Sequence, residues 1–146
     1  LPEARLTGLD LSPFYLKEAS EVLEDVPSLS LVCANAEDTP LRDASFDVVT
    51  SIFMFHEVPR ASRRAVAREA WRLLRPGGRF VVNDSAQMAD SPELAPALEG
   101  FATTYHEPFY RDYARDPLEG VLEEAGFDVR SSEAHSVSKV VVGIKS

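Results

Sequence analysis

Between Arg5 and Asp84, short apolar runs that favour β-strands alternate with stretches whose apolar residues repeat at helical spacing. This alternation predicts parallel strands joined by crossover helices, which is an α/β fold. The run FDVVTSIFMF, Phe46–Phe55, is apolar and rich in β-branched residues, so we expect a central strand buried on both faces. With 146 residues the chain has the length of one domain, 1–146.

Local signals mark the ends of the other elements. RLTGLD reads as a short strand, after which Ser12 can cap a helix with Pro13 at its first position. The next strand, LSLVCA, carries the single cysteine, Cys33, which we expect to be a buried structural thiol. A helix over 61–74 should stop at the sequence RPGG, because proline and glycine cannot continue it.

The carboxyl-terminal part follows a different pattern. SPELAPALEGFATTYHEPFYRDYA reads as a helix followed by an aromatic-rich connection. In DPLEGVLEEAGF, Asp116 can cap a helix that ends at Gly126. The last two predicted strands, FDVRSSEA and SKVVVGIKS, are separated by only a few residues, so they should form an antiparallel hairpin rather than another crossover.

The charge balance and the cysteine count exclude several classes of protein. The net charge of −9 disfavours non-specific binding to nucleic acid or to anionic membranes. A stripe of arginines at helical spacing is therefore expected to be a solvated face; it contains Arg60, Arg64, Arg68 and Arg72. One cysteine excludes an internal disulfide framework and indicates a reducing compartment, the cytoplasm or a plastid stroma. No membrane span and no metal-ligand spacing is visible in the sequence.

Polar residues that directly follow predicted strands are the candidate ligand contacts. Asp10 could accept hydrogen bonds from two vicinal ribose hydroxyls, or it could only help to cap the following helix. The Asn35 side chain could accept from an adenine amino group while the Ala36 amide donates to a ring nitrogen; the alternative is an ordinary turn asparagine.

His56 is the candidate for proton chemistry. It follows the predicted central strand at the carboxyl end, where open α/β sheets bind ligands. It could act as a base or orient a substrate, or it could be a hydrogen-bonded structural histidine; Glu57 is expected to cap the next helix. The aromatic segment Thr103–Tyr113 could cover a planar or isoprenoid substrate, or it could pack on the sheet.

The order of the motifs GLDLS, ANAEDTPL, SFDVV, LLRPGGRFVV and the terminal hairpin resembles the class I S-adenosylmethionine-dependent methyltransferases. The nearest branch contains the C-methyltransferases of ubiquinone and menaquinone biosynthesis. The resemblance implies a Rossmann-like methyltransferase fold, with a mostly parallel sheet and a carboxyl-terminal antiparallel hairpin. It implies that Asp10 binds the ribose, Leu11 packs near the adenosine, Asn35 and Ala36 meet the adenine edge, and Ile52 contacts the cofactor.

This chain departs from the family pattern in two ways. The quinone enzymes do not usually have His-Glu where this chain has His56 and Glu57, so their substrate cannot be carried over. No G-x-G sequence is present, although the family's first strand ends in such a loop and lies between the strands that end at Asp10 and Met54. We therefore expect an amino-terminally truncated domain that binds the cofactor poorly and is poorly stable by itself.

The sequence thus predicts a parent protein that transfers a methyl group from S-adenosylmethionine to a small organic acceptor. One alternative is a non-catalytic relative that keeps the fold as a binding or partner surface. A second alternative is a nicotinamide-dependent reductase, which also has an acid after its second strand. The sequence does not indicate the oligomeric state.

Overall fold

The computed structural model describes residues 3–26, 28–90, 93, 96, 98, 100, 104 and 106–146. The chain divides into two compact units, Leu1–Pro40 and Leu41–Ser146. The single domain over 1–146 stays a prediction. Among the described residues, no helix combines the length and the apolar character needed to cross a bilayer.

The amino-terminal unit is a two-stranded parallel sheet with one helix. Strand β1 is Leu6–Asp10, helix α1 is Pro13–Val22 and strand β2 is Leu29–Cys33. The two strands pair in register from Leu6 opposite Leu29 to Asp10 opposite Cys33. Ser12 is the N-cap of α1, as predicted, and its hydroxyl accepts from the Tyr15 N–H at 3.4 Å.

Helix α1 and the two-stranded sheet bury none of their described apolar side chains. The side chain of Phe14 is 77% exposed and that of Val22 is 78% exposed. The prediction that Cys33 is buried was therefore wrong: Cys33 is exposed, with its Sγ 3.6 Å from the Leu11 carbonyl oxygen. An apolar strand residue is buried only where another layer covers it, and the composition of the strand does not show which of its residues are covered.

The carboxyl-terminal unit contains a four-stranded mixed sheet. Its elements are β3 Phe46–Ile52, a 3-10 helix Phe55–Glu57, α2 Arg60–Leu73, β4 Leu74–Ser85, α3 Tyr110–Tyr113, α4 Leu118–Glu124, β5 Phe127–His135 and β6 Ser138–Lys145. The sheet order is β3-β4-β6-β5. Strands β3 and β4 are parallel, whereas β6 is antiparallel to both of its neighbours, which confirms the terminal hairpin.

Helix α2 ends at Leu73, and the RPGG sequence forms an irregular segment at the start of β4. The pairing of β3 with β4 shifts between Phe46 opposite Leu74 and Val48 opposite Arg79. Gly77 has a φ of +80°, a conformation that favours glycine. A Cβ on Gly78 would lie 2.9 Å from the Arg75 carbonyl oxygen. Both positions therefore favour glycine over a residue with a side chain.

Strand β3 does not have the burial that its sequence predicts. It is the last strand of the sheet order among the described strands, and Ser51 is its one buried residue. The side chains of Val48 and Ile52 are 50% and 65% exposed. The prediction of a central strand buried on both faces was therefore wrong for this unit. Strand β3 pairs with β4 on one side and lies at the edge of the described sheet.

The core of this unit lies where α2 and α4 cover the sheet. The Phe80 ring is fully buried, with its centroid 6.2 Å from that of Phe55 and 5.5 Å from that of Phe127. Helix α4 adds buried Leu118 and Leu122. The helix and connection predicted from residue 91 onward lie in large part outside the described residues, and so do Thr103 and Tyr105.

Candidate functional site

Asp10 stands at the carboxyl end of β1 and is partly buried. Its Oδ1 accepts the Ser12 N–H at 2.7 Å, so the carboxylate does help to fix the start of α1, as the capping alternative requires. Among the described residues, Oδ2 has no partner. One oxygen therefore keeps its full capacity to accept hydrogen bonds from a ligand, while the adjacent Leu11 side chain is 70% exposed.

Asn35 and Ala36 follow β2 at the same end of the two-stranded sheet. The Ala34 N–H donates to the Asp10 carbonyl oxygen at 3.1 Å, which ties the two strand ends together. The Asn35 Oδ1 accepts the Glu37 N–H at 2.9 Å, a local turn of the kind that asparagine commonly makes. Within the described part of the chain, the Ala36 N–H has no acceptor. The turn alternative thus describes Asn35 in this structure, and Ala36 keeps an available donor.

In the carboxyl-terminal unit, the ends of parallel strands β3 and β4 bring Ile52 and His56 to the same edge as Asp84. Ile52 is the last residue of β3 and pairs with Asn83. Its side chain is exposed, as is expected of a residue at a ligand-contact position and also of one at an uncovered edge. The next residue of β4, Asp84, is fully buried.

His56 and Asp84 form a hydrogen-bonded pair in this unit. The Nδ1 of His56 lies 2.7 Å from Asp84 Oδ1. The same carboxylate accepts the Phe55 N–H at Oδ2 and the Ser85 N–H at Oδ1, both at 2.8 Å. Because a carboxylate is an acceptor, this network assigns the proton to Nδ1 of His56 and leaves the lone pair on Nε2.

The surroundings of His56 favour its charged form. Burial lowers the pKa of His56, but the hydrogen bond that His56 donates to Asp84 and the charges of Asp84, Glu57 and Glu107 outweigh burial and raise the pKa above 6.5. The His56 side chain is 12% exposed, and its Nε2 lies 3.9 Å from Glu57 Oε1. Glu57 does not cap α2: Pro59 holds the N-cap position without a side-chain hydrogen bond.

Two tyrosines of α3 pack against the His56 ring. The ring centroids of Tyr110 and Tyr113 lie 5.9 and 6.1 Å from that of His56, both edge-on. The Tyr110 hydroxyl is 2.6 Å from Ser85 Oγ, and the Tyr113 hydroxyl donates to the Ser85 carbonyl oxygen. Burial raises the pKa of both tyrosines, so they stay neutral at physiological pH. The packing alternative thus describes these two aromatic residues, which are buried.

The arginines of α2 hold this segment in place. Arg63 is fully buried and pairs with Asp112 and Asp116, and burial lowers its pKa. Arg60 pairs with the same two aspartates, and Arg64 pairs with Asp116 and Glu124. The predicted solvated face is therefore in part an ion-pair cluster. Asp116 does not cap α4 with its side chain, because the three guanidinium groups claim that carboxylate.

Sequence reasoning named His56 as a candidate but missed its partner Asp84 and the buried Arg63. Asp84 ends the predicted strand RFVVND, as Asp10 ends RLTGLD, so the rule that predicted Asp10 could have found it. Arg63 gave no comparable signal, because its burial depends on the position of α3, which the sequence pattern did not predict.

A pocket of about 350 Å³ lies elsewhere in the carboxyl-terminal unit, lined in part by Gln87, Asp90, Glu119 and Lys139. Lys139 is buried, and its Nζ lies 2.9 Å from Asp90 Oδ1 and 2.7 Å from Glu119 Oε1. The buried cation is thus paired twice within the fold. The described residues contain no group of three or more His, Cys, Asp or Glu that could hold a metal ion.

The family named "Methyltransferase domain" matches residues 1–82. The chain belongs to this family. It is 33% identical over 145 residues to the ubiquinone/menaquinone biosynthesis C-methyltransferase of Methylobacterium nodulans, which covers 86% of this chain and 57% of that protein. It is 39% identical over 88 residues to the demethylmenaquinone methyltransferase of Listeria welshimeri, which covers 59% of this chain and 36% of that protein. The predicted family is confirmed.

Solved structures agree on the fold. A protein from Pyrococcus horikoshii OT3 matches with a TM-score of 0.75 at 18% identity, over 99% of this chain and 73% of that one. A geranyl diphosphate methyltransferase, solved in complex with S-adenosylmethionine, matches with a TM-score of 0.74 at 10% identity, over 98% and 69%. The Rossmann-like methyltransferase fold is therefore confirmed. The chain spans about half the length, or less, of the curated relatives named above.

Proposed function

We propose that the protein transfers a methyl group from S-adenosylmethionine to a small organic acceptor. The observation that carries this proposal is the family match over residues 1–82. That range contains all of the residues for which the sequence suggests a cofactor or catalytic role. The match favours neither a nicotinamide-dependent reductase nor a partner domain without activity.

The residues at the carboxyl ends of β1 and β2 fit the adenosine part of this cofactor. Asp10 keeps the free Oδ2 that a ribose hydroxyl needs, and Ala36 keeps a free N–H for an adenine ring nitrogen. Asn35 Oδ1 already accepts one hydrogen bond but has a second lone pair. Exposed Leu11 offers apolar contact, and the cofactor contact of Ile52, exposed in the carboxyl-terminal unit, stays a prediction.

When bound, the cofactor supplies an electrophilic methyl group on a sulfonium sulfur, which an electron pair of the acceptor attacks in line. The protein must hold the acceptor in line and exclude water. We assign His56 the catalytic role, as a base or as an orienting group for the acceptor. The two relatives are named for quinone methylation; for this chain we propose a small organic acceptor, in the cytoplasm or a plastid stroma.

Calorimetry with S-adenosylmethionine, on the protein expressed from its complete gene, tests the proposal. We expect binding, and we expect Asp10→Asn to weaken it about tenfold or more, since a hydrogen bond to a charged group contributes about 1.5–3 kcal/mol. Asp25→Asn, at an exposed aspartate of the same unit, is the matched control and should leave the affinity unchanged. Absence of binding, or preference for a nicotinamide dinucleotide, would refute the proposal.

A further inference from the structure

The hydrogen bond between His56 and Asp84 links the 3-10 helix after β3 to the end of β4. This pair fixes the histidine more firmly than is usual for a histidine at the surface. The buried carboxylate accepts from two backbone N–H groups and from Nδ1, so its position is fixed by three hydrogen bonds. The His56 ring is held in turn by Asp84 and by the edges of two tyrosine rings. Both its tautomer and its orientation are therefore set by the fold.

The other ring nitrogen is left available. Nε2 has no hydrogen-bond partner among the described residues, and the nearest charged atom, Glu57 Oε1, lies 3.9 Å away. A buried histidine with a purely structural role would be expected to use both of its ring nitrogens. His56 is 12% exposed and uses only Nδ1 among the described residues. A neutral imidazole with a free Nε2 beside a buried carboxylate is an arrangement that can accept a proton.

We propose that Asp84 positions His56 as the proton acceptor for a methyl acceptor whose attacking atom carries a dissociable proton. This inference rests on the proposed function. Such acceptors are hydroxyl compounds and acidic C–H compounds, as opposed to tertiary amines and thioethers, which attack without losing a proton. His56 is the catalytic residue of the step, and Asp84 is a positioning residue that acts through it.

The proton transfer balances within the pair. The bond between the proton and the acceptor atom breaks, and its electron pair stays on that atom, which becomes the nucleophile. The lone pair of Nε2 takes the proton, and the resulting imidazolium is stabilised by the buried charge of Asp84 and by Glu57. The imidazolium then releases the proton to water, which restores the neutral ring.

The groups that face His56 are three carboxylates, which stabilise the charged ring, and two tyrosines, which stay neutral. Asp84 from β4, the adjacent Glu57 and Glu107 all favour the imidazolium. Tyr110 and Tyr113 from α3 stay neutral, so they do not compete for the proton. The result is a stronger base than a free histidine, and it is effective at a pH above its own raised pKa.

Carbethoxylation by diethyl pyrocarbonate tests the pair without a cofactor or an acceptor, because the reagent reacts with an unprotonated imidazole nitrogen. Peptide mass spectrometry of the protein from its complete gene would follow all three histidines. We expect His56 to react with a pH midpoint above 6.5, and Asp84→Asn to lower that midpoint, since the charge that raises the pKa is lost. His106 and His135, both exposed, are internal references whose rates should not change.

Asp128→Asn, at an exposed aspartate of β5, is the matched control and should leave the His56 midpoint in place. An unreactive His56 at every pH, or a midpoint that Asp84→Asn does not move, would overturn the proposal. A purely structural Asp84 could lower stability, but it would not shift the midpoint of His56 in a protein that stays folded.

Turnover then tests the class of acceptor. With 1,4-naphthohydroquinone as the hydroxyl probe, His56→Gln should lower kcat about 100-fold, the usual size of a general-base contribution. The affinity of the His56→Gln variant for S-adenosylmethionine, measured by calorimetry, should not change. Faster methylation of N,N-dimethylaniline, which has no proton to lose, would overturn the assignment. Loss of cofactor binding in the unmodified protein would instead refute the proposed function, and carbethoxylation would still report on the pair.

Discussion

The two units of the chain differ in what stabilises them. In the amino-terminal unit, none of the described apolar side chains is buried, and the strands are joined by backbone hydrogen bonds over five residue pairs. In the carboxyl-terminal unit, two helices and a four-stranded sheet enclose fully buried rings and aliphatic side chains, with Arg63 among them. The difference shows that the same kind of α/β sequence pattern can accompany very different degrees of burial.

The candidate functional residues divide in the same way. Asp10, Leu11, Asn35 and Ala36 belong to the unit without a buried apolar core, whereas His56 and Asp84 are set into the edge of a packed sheet. Substitutions that probe the proton chemistry therefore carry a risk to stability that substitutions at the ribose-binding candidates do not.

The largest effect is expected from the core of the carboxyl-terminal unit. Phe80→Ala removes a ring that is fully buried between Phe55 and Phe127, so it should lower the free energy of unfolding by about 3–5 kcal/mol. Phe14→Ala, on α1, removes a ring that is 77% exposed and should change it by less than about 0.5 kcal/mol. Urea unfolding followed by far-ultraviolet circular dichroism, which reports on the helices and strands of both units, would measure both. Equal losses would contradict the contrast between the units.

The ion-pair cluster should come next. Arg63→Met removes one partner from buried Asp116 and one from exposed Asp112, and we expect a loss of about 3 kcal/mol, chiefly from Asp116. Arg68→Met is the control on the same helix, since Arg68 is exposed and has no ion pair among the described residues. Its expected change is within about 0.5 kcal/mol in the same urea assay. A silent Arg63→Met would show that Arg60 and Arg64 suffice to hold α3.

The sequence predicted those parts of the fold that local signals determine. The Ser12 cap, the end of α2 before RPGG and the terminal hairpin depend on neighbouring residues, and the structure has all three. Burial was predicted less well, because it depends on which layer covers a strand. Cys33 and Ile52 lie in runs that read as buried, yet both are exposed.

The candidate site shows the same limit. The rule that ligands bind at the carboxyl ends of parallel strands suggested Asp10 and His56, since each follows a strand in the sequence. The partner of His56 required the pairing of β3 with β4, which places Ile52 opposite Asn83 and therefore Asp84 beside the 3-10 helix. Asp116 was assigned to a helix cap because a cap is a local feature, whereas its ion pairs with Arg63 and Arg64 link residues about fifty positions apart.

The smallest expected effect is a pH dependence that arises in the carboxyl-terminal unit. The pKa of His56 is raised above 6.5 in the folded protein, so the folded state binds its proton more tightly than the unfolded state does. The resulting stabilisation is complete below the unfolded value of 6.5 and is lost as the pH rises through the raised folded value. Asp112 and Glu119 have lowered pKa values and lose their contributions only as the pH falls into the acid range.

Urea midpoints between about pH 6 and about pH 9 therefore isolate His56, because the carboxylates stay ionised over that range. We expect the midpoint of the unmodified protein to fall across the range and that of His56→Gln to fall less. Asp84→Asn should also flatten the dependence, since it removes the hydrogen bond and the charge that raise the pKa. A midpoint that rises with pH would mean that burial, which lowers the pKa of His56, outweighs Asp84, and the pair would then be a weaker base than free histidine.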